Sequence, residues 1–238
     1  MTQNIDKSWS EIVENSLHSL SSEYQNFLNT SDTYFPNRDN FLNAFKTLSF
    51  KNTKAILFGQ DPYPRVQSAI GYAFIDGKVK TLFSANGLSK EVNRATSLRN
   101  FMKMLLLADN KLQEDDLSQD AIAMLKKDEM INSIFELKDN FEKNGILLLN
   151  TSLVFTKKDD TSLHVKEFKP FVKTFLDELG DKKLDLILFG SMAKDIKKLL
   201  PNKHNFTLVE TSHPYNVDFI TNKKVLEYFS KFKLLKKQ

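Results

Sequence analysis

Apolar and polar positions along this chain fall into two kinds of block. Between residues 8 and 28, Trp9, Ile12, Val13, Leu17, Leu20, Tyr24 and Leu28 recur at helical spacing, which predicts a helix with one face for a core. Tyr34-Phe35-Pro36 breaks that pattern, and residues 41–45 restart a short helix. Residues 55–58 form an apolar run without alternation, the signature of a strand buried on both faces. Similar runs occupy 146–150 (entered through Asn144-Gly145), 184–189 and 206–210. Helical spacing fills the intervals. It predicts helices over 98–107, begun or capped by Ser97, over 166–179, stopped by Gly180, and over 223–232. A further helix follows Ser191 and ends before Pro201, while 109–140 reads as two charged surface helices joined near Asp128. Residues 71–75 read as a short extended piece. Four apolar strands separated by helices imply an α/β protein, its sheet parallel and its crossovers right-handed.

The first strand ends in Gly59-Gln60-Asp61-Pro62-Tyr63-Pro64. Gly59 allows a sharp exit from the sheet. Pro62 and Pro64 fix φ at two places, so Gln60, Asp61 and Tyr63 sit in a stiff loop. Asp61, Asn150, Ser191 and His213 each follow the end of a different predicted strand. In a parallel sheet those ends share one edge, so residues distant in sequence are expected to converge on one crevice, where such folds bind ligands. Each residue also has an ordinary reading taken singly. Asp61 can cap a turn, Asn150 can end a strand, Phe74 can be one of 20 phenylalanines in the core, and His213 can simply be exposed.

Composition narrows the classes. The chain has 238 residues, 41% hydrophobic and 27% charged, without internal repeat or low-complexity linker, which suits one globular domain over 1–238. No apolar run approaches the length that spans a bilayer, and the first residues carry no charged-then-apolar export signal. The expected setting is therefore the cytoplasm, as a monomer with no membrane association. The absence of cysteine excludes disulfides, thiolate zinc sites and iron–sulfur clusters. A net charge of +4 is compatible with a polyanionic partner. Lys223, Lys224, Lys231, Lys233, Lys236 and Lys237 crowd the C-terminus and read as a solvated helix face and a frayed tail.

The chemistry offered by the expected crevice is a carboxylate (Asp61), an imidazole (His213), an amide (Asn150) and two flat rings (Tyr63 and Phe74). No Gly-x-Ser-x-Gly elbow, glycine-rich nucleotide loop or His-Glu-x-x-His metal motif is present, so neither cofactor nor metal is expected. A carboxylate opposite an imidazole suits a reaction in which one fragment turns cationic and the other leaves with the electrons. Cleavage of a glycosidic bond is such a reaction. A ring to stack on a base and an amide to read its edge would complete the requirement.

These motifs resemble those of family 1 uracil-DNA glycosylases. Gly59-Gln60-Asp61-Pro62-Tyr63 with Ala69, Gly71 and Phe74 is similar to the family signature. Leu147-Leu148-Leu149-Asn150-Thr151 with Leu153 resembles the uracil-reading strand, and Gly190-Ser191 and Ser212-His213-Pro214 resemble two DNA-contact loops. Asn43-Ala44-Phe45 after Tyr34-Phe35-Pro36 matches the helix before the first strand. The resemblance runs in order from about Tyr34 to the C-terminus. It implies a three-layer α/β/α fold with a central four-stranded parallel sheet, acting on uracil-containing DNA, single- or double-stranded. It also implies roles. Asp61 would position the attacking water and stabilise the cationic sugar, and His213 would stabilise the departing uracil anion through O2. Asn150 would read N3 and O4 and reject cytosine. Tyr63 would exclude the thymine methyl, Phe74 would stack on the flipped base, and backbone groups near Gln60 would bind its edge. Ser97, Gly190, Ser191, Ser212, Pro214 and Val217 would contact DNA. With no lysine at a matched catalytic position, cleavage would be hydrolytic and stop at the abasic site.

The chain departs from the family in its DNA-gripping loops. The Ser-Pro-Leu-Ser that usually follows His-Pro is Tyr215-Asn216-Val217-Asp218 here. Val217 matches the leucine wedge, with Phe219 as an alternative, and Asp218 would repel a phosphate. The Pro-rich phosphate loop is Arg94-Ala95-Thr96-Ser97, and Lys166-Glu167-Phe168 stands where Gly-Trp is usual. The expectation is retained uracil excision with weaker flipping or a preference for single strands, where unstacking costs less. Two other readings are a same-fold glycosylase for another base, opposed by Asn150 and Tyr63, and a non-catalytic nucleic-acid binder, opposed by Asp61 and His213. A small-molecule-binding doubly wound domain is disfavoured by the missing glycine fingerprint.

Overall fold

The computed structural model describes residues 4–237. In chain order its helices are α1 (Ser10–His18), α2 (Ser22–Thr30), α3 (Lys90–Arg94), α4 (Thr96–Ala108), α5 (Gln119–Ala123), α6 (Ile134–Lys143), α7 (Thr161–Glu178), α8 (Met192–Lys197) and α9 (Lys223–Phe229). Its strands are β1 (Ala55–Gly59), β2 (Phe83–Ser84), β3 (Gly87–Leu88), β4 (Ile146–Asn150), β5 (Leu184–Phe189) and β6 (Phe206–Thr211). The chain divides into two compact units: residues up to Asp76 with Gly145–Val209, and Gly77–Asn144 with residues from Glu210 onward.

The first unit is built on a parallel four-stranded sheet in the order β4-β1-β5-β6 with flanking helices. The register pairs Ile56 with Leu147 and Leu186, and carries on to Gly59 opposite Asn150. Every residue of β1 and β4 is buried, which is why both runs lack the alternation of a half-exposed strand. Ile56, Phe58, Leu147, Leu149, Leu186 and Leu188 share a core with α1, α2, α7 and α8. Trp9 anchors this core. It is fully buried, its Nε1–H donates to the Leu48 carbonyl at 2.7 Å, and its ring packs on Phe45, Phe50 and Phe175.

In the second unit α4 packs along α9, and the Phe101 ring contacts Phe141, Phe219 and Phe229. A two-residue hairpin, β2-β3, is tied down where Gln119 Oε1 accepts from Leu88 N–H at 2.8 Å.

Most expected elements occur, and the differences have local causes. The helix expected over 8–28 is two, because the Ser21 hydroxyl accepts from Tyr24 N–H and restarts the chain as a new N-terminus. The extended piece expected at 71–75 is a turn. Gly71 at φ +86° and Phe74 at φ +63° fold it back, and an isolated antiparallel bridge joins Ala69 to Asp76. Ser97 is not a cap: α4 starts at Thr96, with Ala95 as an N-cap that offers no side chain. In 109–140 the helices are shorter and later, since Ser118 and Ser133 supply the caps. Nor is the segment all surface, for Met130, Ile131, Ile134 and Leu137 are buried.

The tail expected to fray is docked. Leu234 and Leu235 are buried, Ile131 N–H donates to Leu235 O at 3.0 Å, and Asn140 Nδ2 donates to the carbonyls of Leu234 and Lys236, both at 2.8 Å. Two leucines among the lysines outweigh the charge pattern. Among the described residues no helix is long and apolar enough to cross a membrane.

Candidate active site

In the first unit, the carboxyl ends of β1, β4 and β5 bring together Gly59 to Tyr63, Asn150 and Gly190-Ser191. The backbone alone assembles most of this edge. Thr151 N–H donates to Gly59 O and Ser152 N–H to Gln60 O, both at 2.8 Å, while Thr151 Oγ1 also donates to Gln60 O at 2.9 Å. These bonds extend the β1–β4 ladder past the strands and hold the Gln60-Asp61 loop beside Asn150. From the other side, Ala73 N–H donates to Leu148 O at 3.1 Å and draws the 69–76 turn onto the same edge. Asn43 Nδ2 donates to Ile70 O at 3.0 Å and secures the start of that turn.

Gly59 is required for a different reason from the one its position in the sequence suggests. Its φ is not positive; instead a Cβ there would fall on Asn150 Oδ1 and lie 2.8 Å from Ala73 Cβ. The missing side chain is the space in which the Asn150 amide sits. Asn150 is 6% exposed, and its amide finds no side-chain hydrogen-bond partner among the described residues. Phe74 is half-buried and set edge-on to Phe189, with ring centroids 5.4 Å apart. Its left-handed backbone is uncommon for an aromatic residue and is the kind of local strain found at functional sites. The Tyr63 hydroxyl donates to the Phe74 carbonyl across 3.4 Å.

Burial sets the charge states of this edge. Desolvation raises the Asp61 carboxyl above its usual range, so the group is ionised only at the cost of lost hydration. Burial, with the charge of Asp76 adding to it, raises the Tyr63 phenol, which stays neutral. Ser191 is exposed and makes no side-chain capping bond to α8.

In the second unit, His213 follows β6 in a turn closed by Asn216 N–H donating to His213 O at 2.9 Å. Its Nδ1 accepts from Tyr215 N–H at 3.0 Å. An accepting Nδ1 carries no proton, so the neutral ring holds its proton on Nε2. Desolvation lowers the His213 pKa and favours that neutral form. Among the described residues, the Ser212 hydroxyl oxygen is buried without a hydrogen-bond partner. Pro214 is buried, whereas Tyr215 and Val217 are 66% and 73% exposed. Phe219, by contrast with Val217, is fully buried and stacked on Phe101 with ring centroids 6.0 Å apart. Ser97 lies half-buried in the first turn of α4. Among the described residues, no three His, Asp or Glu side chains are grouped to hold a metal ion.

No family model matches the chain. Among curated proteins, the uracil-DNA glycosylase of Borreliella burgdorferi is 25% identical over 90% of this chain and 85% of its own length. That of Campylobacter lari is 27% identical over 88% and 81%. A wild-type UNG crystal structure from Nitratifractor salsuginis matches with a TM-score of 0.95 and 44% identity, covering 99% of this chain and 94% of that one. The chain belongs to the uracil-DNA glycosylase family. Asn100 on α4 escaped the sequence reading. Its amide donates to the carbonyl of Pro214, in the turn that follows His213. Its one signal in the sequence is a lone amide within the apolar spacing of Leu98, Phe101, Met104 and Leu105.

Proposed function

We propose that the protein flips uracil out of DNA and hydrolyses its N-glycosidic bond, releasing free uracil and leaving an abasic site for base excision repair. The bond between uracil N1 and deoxyribose C1′ breaks with both electrons passing to the base. A water oxygen bonds to C1′, and the proton it loses balances the uracil anion. Asp61, ionised, orients that water and stabilises the positive charge on the sugar. His213 donates Nε2–H to O2 as negative charge grows there, an oxyanion-hole task for which a neutral imidazole is the right acid.

Asn150 presents its amide to N3–H and O4. Cytosine exchanges donor and acceptor at those positions and would leave buried groups unpaired. Tyr63 occupies the space of a thymine methyl, Phe74 stacks on the base, and the loop at Gln60 meets its edge. Ser97, Gly190, Ser191, Ser212 and Pro214 hold DNA, with the unpartnered Ser212 hydroxyl suited to a phosphate oxygen and the exposed Val217 entering the base stack. The single observation that supports this reading most directly is the register of Gly59 against Asn150, which sets the Asp61 loop beside a buried amide.

The protein acts as a monomer in the cytoplasm, residues 1–238 serve as one catalytic domain, and no cofactor is required. Single-stranded DNA is the better substrate, because the short Val217 and the charge of Asp218 weaken duplex flipping. Incubation with uracil-containing oligonucleotides in excess chelator, followed by alkali, tests the proposal. Alkali-dependent cleavage at uracil, faster in the single strand, is expected. Intact oligonucleotides, single- and double-stranded alike, would overturn the activity, and a strong duplex preference would overturn the strand choice.

A further inference from the structure

Asn100 lies on the apolar face of α4, 2% exposed, where an amide has no reason to be unless it is satisfied. Its Nδ2 donates to Pro214 O at 2.8 Å and approaches Tyr215 O and Asn216 O at 3.3 and 3.5 Å. Three successive carbonyls of one loop therefore converge on one side-chain nitrogen. The central residue of the three is the one whose own N–H donates to His213 Nδ1. No leucine or alanine on the helix could do this, since only a donor can meet carbonyls there.

We propose that Asn100 is a positioning residue for catalysis, acting through the 214–216 loop to hold His213 in its Nε2–H tautomer and orientation. The inference rests on the reading of His213 as the group that meets uracil O2. When the clamp is intact, the peptide of Tyr215 is fixed, its N–H occupies Nδ1, and the imidazole proton is confined to Nε2. When the clamp is lost, the loop carbonyls need another donor, the Tyr215 peptide turns, and both tautomers and several ring orientations become accessible. The released loop also carries Pro214 and Val217, so DNA binding weakens along with it. Once DNA is bound, the effect falls on the step in which charge reaches O2.

The test is a double-mutant cycle in single-turnover uracil release from a single-stranded oligonucleotide. It uses Asn100→Asp, His213→Ala and the two combined, with melting curves and imidazole nitrogen spectra of each folded variant. Asn100→Asp keeps the size and removes the donor; Asn100→Ser, which retains a short hydroxyl, is the milder second variant. Misplacement of a catalytic group by a fraction of an ångström is worth about 10- to 100-fold in rate. At saturating oligonucleotide, a loss of that size in the single-turnover step is expected for Asn100→Asp, a smaller loss for Asn100→Ser, and no further loss when His213 is already alanine. The His213 nitrogen signals should show mixed tautomers.

An equal loss in the alanine background, an unchanged tautomer, or failure of both variants to fold would make Asn100 a packing residue and overturn the assignment. If the unsubstituted protein releases no uracil at all, it is the reading of the activity that fails, not the clamp.

Discussion

The two halves of the proposed chemistry are held by different means. Around Asp61 and Asn150, position comes from main chain: β1 and β4 pair residue by residue to Gly59 and Asn150, and the N–H groups of Thr151 and Ser152 carry that pairing into the loop. Around His213, the bonds are more local: the Asn100 amide meets the carbonyls of the 214–216 loop, Tyr215 N–H meets Nδ1, and Asn216 N–H meets the His213 carbonyl. A ladder distributes its hydrogen bonds, each worth about 0.5–1.5 kcal/mol net, so a change of side chain along it is absorbed. A clamp concentrates them, so a single substitution releases the loop. The first arrangement depends on where side chains are absent, as at Gly59, and the second on where one is present.

The largest effects test the chemistry that both arrangements serve. Asp61→Asn and His213→Ala should each slow uracil release by roughly 10²- to 10⁴-fold, the range for positioned acids and oxyanion donors. Steady-state and single-turnover rates measure this, and a variant within tenfold of the parent would remove its residue from the mechanism. Next comes Asn150→Asp, which offers a carboxylate to uracil O4 and an acceptor to the amino group of cytosine. Uracil release should fall by about 10²-fold or more while cytosine release becomes detectable in competition assays.

Gly59→Ala sharpens the contrast between ladder and clamp. Its Cβ would displace the Asn150 amide and press on Ala73, costing about 1–3 kcal/mol in stability as an overpacked site. Base discrimination should decline while the His213 nitrogen spectrum stays as in the parent. A change at His213 without one at Asn150 would reverse the distinction. The smallest effect is on stability. Desolvation raises the Asp61 pKa in the folded state, so folding is opposed above that pKa and unopposed below the unfolded value of about 4. Asp61→Asn should therefore raise the melting temperature at pH 7, and the gain should vanish as pH falls below about 4.

The same contrast explains what the sequence made legible. Strands buried on both faces announce themselves as unbroken apolar runs, and parallel pairing brings their ends to one edge. Thus Asp61, Asn150, Ser191 and His213 are all legible in the sequence as strand-end residues expected at one edge. The turn at 71–75 was read as extended because nothing in a single sequence reports the left-handed φ of Phe74. The docked tail was hidden because lysines outnumber the two leucines that decide its fate. Asn100 was passed over because its partners are carbonyls, and carbonyls leave no trace in residue identity. Val217 matches the wedge position in the sequence with Phe219 as the alternative, and only their exposure, 73% against 0%, tells them apart.

The central claim is that an ionised Asp61 drives breakage of the uracil glycosidic bond. The most direct test is the pH dependence of single-turnover uracil release by the parent and by Asp61→Asn in chelator. The account requires the parent rate to rise with pH through a carboxyl pKa above the ordinary value and then level off, with the Asn variant flat and at least about 10²-fold lower. A parent rate independent of pH across that range, or an Asn variant that follows the parent curve, would contradict it.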